Sequence, residues 1–112
     1  MSEVSGEQYG AERCRVYVSD EDEVGLQFVT EAVYQAVKVA AGVDGGAIIP
    51  QQGRWYNDSE PGFVVEIVYP ISYDARRKSK RVVILAELGE VKAKYGNTFF
   101  ATFEPVVAAE VF

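Results

Sequence analysis

The sequence predicts an α+β domain: a four-stranded antiparallel sheet with two helices on one face and elements in the order β-α-β-β-α-β. Three observations predict it. Apolar residues recur at helical spacing in two stretches, Leu26 to Ala41 and Ile84 to Tyr95. Four other stretches concentrate β-branched and aromatic residues, two of them in clear alternation. Clusters of glycine, proline, asparagine and aspartate stand between them. A length of 112 residues suits one core, and 48% apolar against 25% charged residues is the composition of a chain that folds.

Residues 1–12 are acidic and polar with little apolar content, which predicts a flexible arm before a single domain over 13–112. Arg13 to Val18 alternates, placing Cys14, Val16 and Val18 on one face and Arg13, Arg15 and Tyr17 on the other. Ser19 is the expected N-cap of the first helix, with acids at 20–23 suited to the positive end of a helix dipole. Leu26, Val29, Val33, Val37 and Ala40 then form its apolar stripe, and Gly42 stops it after Ala41.

Ala47 to Tyr56 reads as a second strand. Pro50 within it cannot donate to a ladder and points to a sheet edge or bulge. Asn57 to Gly62 is a turn, and Phe63 to Tyr69 completes a hairpin. Ile84, Leu88, Val91 and Tyr95 mark the second helix, although Val82 to Leu85 taken alone also suits a buried strand. Tyr95-Gly-Asn97 closes that helix. Thr98 to Phe103 is the last strand, and Pro105 interrupts the apolar stretch that follows it.

This order resembles the ferredoxin-like, or split βαβ, superfamily at the level of the fold. The segment Gly46 to Trp55 and the ending Lys94-Tyr-Gly-Asn97 are similar to small bacterial ferredoxin-like proteins without assigned chemistry. The resemblance implies a spatial strand order 4-1-3-2 and no activity.

In such a sheet the side opposite the helices is open, and the charges indicate which residues occupy it. Arg15 and Tyr17 of the first strand point there, Glu66 brings Val64 and Val68 with it, and Phe100, Thr102 and Glu104 follow on the last strand. Arg15 is expected between Glu66 and Glu104 as a charge ladder. Surface ion pairs of this kind contribute only ~0 to 1 kcal/mol each. Their mixture with Tyr17, Val64, Val68 and Phe100 instead suggests a face meant to be covered, by a second copy or by another protein. Trp55 and Tyr56, near the hairpin tip, are secondary aromatic anchors.

The net charge is −6, and the first 31 residues carry all of it, with eight acids against Arg13 and Arg15. One basic patch stands against it, Arg76, Arg77, Lys78, Lys80 and Arg81, whose simplest reading is a solvated helix start. An RNA-binding sheet is disfavoured because Glu66 and Glu104 lie where a nucleic-acid surface needs Lys and Arg. Asp20, Asp22, Gly25 and Glu31 fall at calcium-loop positions, but Val24 occupies a ligand position and helix capping explains the acids, so no metal is expected. There is no histidine and no phosphate-cradling loop, and Cys14 faces inward, so no catalytic residue or cofactor is assigned.

Two alternatives to the interaction domain are an acidic inhibitor of viral or mobile-element type that blocks a basic nucleic-acid site, and a small-molecule-binding or enzymatic dimer using Glu66 and Glu104. The absence of a long apolar run predicts no membrane span, and a polar beginning predicts a cytoplasmic protein.

Overall fold

A computed structural model describes residues 10–20, 22–51, 62–71 and 79–106. The elements are β1 (Ala11–Ser19), α1 (Glu23–Ala41), β2 (Ala47–Gln51), β3 (Gly62–Pro70), α2 (Lys80–Tyr95) and β4 (Phe100–Val106). The strands form one antiparallel sheet in the order β2-β3-β1-β4, and the architecture is the ferredoxin-like α+β fold.

One core holds the layers together. Cys14, Val16 and Val18 of β1 and Val65, Ile67 and Tyr69 of β3 meet Leu26, Val29, Val33 and Val37 of α1 and Ile84 and Leu88 of α2. Burial of each of the larger aliphatic side chains contributes about 1.5–3 kcal/mol. Only alternate residues of the two central strands enter this cluster, so the other set faces away from both helices.

Several boundaries differ from the sequence reading for identifiable reasons. β1 starts at Ala11, and both Ala11 and Glu12 are buried. The cap of α1 is Asp22 rather than Ser19: its carboxylate accepts from the backbone N–H groups of Val24 and Gly25, both at 3.2 Å. Ser19 is held at the end of β1, opposite Gly62, and its carbonyl accepts from the Asn97 side chain. The ambiguous segment Val82 to Leu85 is helical. Ser79 caps it, and Ile84 and Leu88 face the core while Val82 and Leu85 stand in solvent, an i, i+4 pattern that a strand cannot produce.

α1 ends where expected, with Gly42 at φ 74°, a left-handed cap conformation that glycine adopts without a Cβ penalty. β4 begins at Phe100 and continues through Pro105 to Val106. Proline is tolerated there because β4 is an edge strand, as is the Pro50-containing β2. Residues 52–56 of the expected second strand lie outside the described residues.

Candidate interaction face

The strand registers arrange the helix-free face into rows that run across the sheet. The first consists of Phe100, Tyr17, Val64 and Ile49, taken from β4 through β1 and β3 to β2. The second, in the same strand order, is Thr102, Arg15, Glu66 and Ala47. The third is Glu104, Arg13 and Val68. An apolar line therefore borders a charged band.

In the apolar row Phe100 is 51% exposed and Ile49 40%, and Val68 in the third row is 39% exposed. The Tyr17 and Phe100 rings touch, with centroids 5.7 Å apart and a tilt of 50°. Val64 departs from its expected role as an exposed contact. It is only 4% exposed, because the register seats it between Tyr17 and Ile49.

The charged band contains two arginines and two glutamates. Arg15 Nε donates to Glu66 Oε2 at 2.7 Å and Arg13 Nη1 to Glu104 Oε1 at 3.0 Å. Arg15 Nη1 also lies 3.4 Å from Glu104 Oε1. The Arg13 Nε–Glu66 separation of 3.8 Å is an electrostatic contact, too long for a hydrogen bond. Arg15 thus reaches both glutamates, as its expected place in a ladder implies, but the residue directly opposite Glu104 is Arg13. The hydrogen bond from Glu66 raises the Arg15 pKa further, so its positive charge is permanent at any physiological pH.

Of the basic patch, Lys80 and Arg81 are described; Arg76, Arg77 and Lys78 lie outside the described residues, as do Trp55 and Tyr56. Lys80 and Arg81 belong to the helix side of the sheet. The Lys80 ammonium donates to the Ala41 carbonyl at the negative end of α1. Arg81 Nε donates to Glu12 Oε2 at 2.8 Å, and the Tyr69 hydroxyl donates to the other Glu12 oxygen. Burial disfavours Glu12 ionisation, but the Arg81 and Tyr69 hydrogen bonds and the Arg81 charge outweigh it and hold the carboxyl below its ordinary pKa. Burial and the hydrogen bond to Glu12 push the Tyr69 pKa up.

The acids near the start of α1 serve local structure. Asp22 caps the helix, while Asp20 accepts from the Asp22 N–H at 2.9 Å and from Asn97 Nδ2 at 2.9 Å. Among the described residues no group of three or more His, Cys, Asp or Glu side chains is placed to hold a metal ion. No described helix is long and apolar enough to cross a membrane. Two surface grooves, one between α1 and the β2–β3 pair and one between α2 and β4, are lined by other residues and contain neither Glu66 nor Glu104.

Three participants were not singled out by sequence reasoning. Ile49 joins the apolar row because Pro50 sits opposite Phe63, which puts Ile49 opposite Val64. Arg13 was placed on this face, but its pairing with Glu104 required the β1–β4 register. Glu12 was assigned to the arm, and nothing local in the sequence signals its partners 57 and 69 residues away. No protein-family model matches the chain, and no curated protein matches it.

Proposed function

We propose that this protein is a non-enzymatic interaction domain whose partner covers the helix-free face of the sheet. The observation that carries this reading is the apolar row: Phe100 and Ile49 are exposed at its two ends, with the Tyr17 ring against Phe100, beside a band of paired charges. Leaving Phe100 in water forgoes on the order of 1–2 kcal/mol of burial that a partner can recover. The paired arginines and glutamates contribute little to affinity, but they penalise a mismatched partner and so set register. Phe100, Tyr17, Ile49 and Val68 supply the apolar contacts, and Arg13, Arg15, Glu66 and Glu104 supply orientation.

An acidic blocker of a basic site draws less support, because the Asp20 and Asp22 carboxylates already accept hydrogen bonds within the fold. A carboxylate enzyme draws less support too, since Glu66 and Glu104 are paired with arginines on a sheet face rather than in the grooves described above.

The test is the mass of the native particle isolated from its source. The reading expects a particle heavier than the 12.4 kDa chain, reduced to that mass by Phe100→Asp. A wild-type particle of 12.4 kDa, or a heavier one indifferent to the substitution, contradicts it.

A further inference from the structure

From the row pattern we infer that the partner on this face is a second copy of the chain, related by a two-fold axis parallel to the strands and lying between β1 and β3. The inference rests on the reading of the sheet face as an interaction surface. In the order β2-β3-β1-β4 that axis is the midline of the sheet. Rotation about it lays β1 over the partner's β3 and β4 over the partner's β2 while leaving every row at its own height.

The first two rows then meet their complements, while the third lays Arg13 over the second copy's Val68 and leaves Glu104 beyond the start of β2, at the solvent rim. Phe100 faces the second copy's Ile49, and these two exposed residues carry the apolar contact; Tyr17 lies over Val64 of the second copy, which its own neighbours already cover. One row along, Arg15 faces Glu66 of the second copy, and the reverse contact follows by symmetry. Thr102 meets Ala47 in the same row, which adds no clash of charge. An axis along β1 would instead stack Arg15 on Arg15. The midline placement alternates the signs, and two Arg15–Glu66 pairs join into a closed quartet.

Sheet twist does not spoil the match. Packed sheets cross at about 30°, which displaces strand ends more than strand centres. Arg15 is the fifth residue of the nine in β1, and Glu66 the fifth of the nine in β3. The quartet therefore sits at the crossing point. A face four strands wide and up to nine residues long covers roughly 500 Å² per copy, hence on the order of 1,000 Å² in total, the threshold of a specific interface. Ordinary charge pairing within the chain does not remove this complementarity, because an arginine carries five donors in a planar fork.

The test is charge exchange followed by mixing, read by sedimentation equilibrium and native mass. Wild type is expected at twice the chain mass. Arg15→Glu places Glu against Glu66 of the other copy, and Glu66→Arg places Arg against Arg15, so each variant alone is expected as a monomer. Mixed in equal amounts they are expected to form a dimer containing one of each. Phe100→Asp, at an exposed edge position away from the ion pairs, is expected to weaken the dimer at least about tenfold and decides the matter if a charge variant fails to fold. A mixture of folded variants that stays monomeric overturns the inference. So does a monomeric wild type whose source particle is still heavier and still sensitive to Phe100→Asp; that result keeps the interaction face and replaces the second copy by a different protein. A dimer that survives Phe100→Asp and both charge variants overturns the inference and the interaction face together.

Discussion

Arg15 Nε and Glu66 Oε2 meet at 2.7 Å across the middle of the two central strands, on the side of the sheet that carries no helix. The pair stands outside the core cluster, beside the row of Phe100, Tyr17, Val64 and Ile49. The Arg15 side chain remains 37% exposed and that of Glu66 23%, so their attraction is screened. Arg15→Ala is expected to lower unfolding stability by no more than about 1 kcal/mol in urea titration of the monomeric Phe100→Asp background. A loss of several kcal/mol there would mean that the pair is a structural clamp.

The Glu12 cluster on the opposite side predicts the acid limb. Because the folded-state pKa of Glu12 is depressed, its contribution is fully present above the ordinary carboxylate value of 4.5 and is lost as pH falls through the folded value. Glu12→Gln is expected to cost on the order of 1–3 kcal/mol at neutral pH, discounted because Arg81 is half exposed, and to flatten the fall in stability below pH 4.5. Unfolding midpoints against pH for the two proteins check it; parallel curves would remove Glu12 from the account.

Burial pushes the Cys14 thiol up to about 12, with the nearby Glu12 charge adding to it. The native thiol is expected to resist disulfide-exchange reagents at pH 8 and to react at once when urea is added. The unfolded thiol ionises near 9.0 and the folded one does not, so stability should decline from about pH 9 towards 12. Tyr69 adds to the decline above its ordinary value of 10.0. Cys14→Ala should make that alkaline limb shallower, and an unchanged slope would contradict the assignment.

Gly46 brings the entry of β2 against β3 so closely that a Cβ there would lie 2.2 Å from Ile67 Cδ1 and 2.6 Å from the Glu66 carbonyl oxygen. Its N–H is held by the Tyr34 hydroxyl at 3.2 Å. Gly46→Ala should therefore cost about 1–3 kcal/mol, through displacement of β2 rather than through helix or turn propensity. Thermal unfolding measures the loss, and a neutral substitution would show that β2 has room to move.

Much of the fold was legible because period two and period 3.6 are written locally. The alternation of Cys14, Val16 and Val18 fixed the inner face of β1, and Leu26, Val29, Val33 and Val37 fixed that of α1. The strand order is the one implied by the resemblance of the element order to the ferredoxin-like fold. The α1 cap was misplaced because Ser19 and Asp22 are both good caps, and only the pairing of Ser19 with Gly62 removes the former. Val82 to Leu85 stayed ambiguous because four apolar residues in a row carry no period.

The candidate site was legible as a face and not as a register. The sides taken by Arg15, Glu66, Phe100 and Glu104 follow from alternation, but the opposition of Arg13 and Glu104, and of Ile49 and Val64, depends on how far each strand slides along its neighbour. Pairing across 91 residues of chain leaves no local trace. The burial of Val64 is of the same kind, since it depends on what its neighbours cover.

Side-chain footprinting of the native particle tests the covered face most directly, with Phe28 as an internal control, because Phe28 on α1 is 65% exposed and Phe100 on the helix-free face is 51% exposed in the single chain. Phe100 and Tyr17 are expected to be protected in the particle and to become labelled in the monomer produced by Arg15→Glu, in which Phe100 is intact, while Phe28 is labelled in both. Labelling of Phe100 at the single-chain rate within the wild-type particle would contradict this expectation.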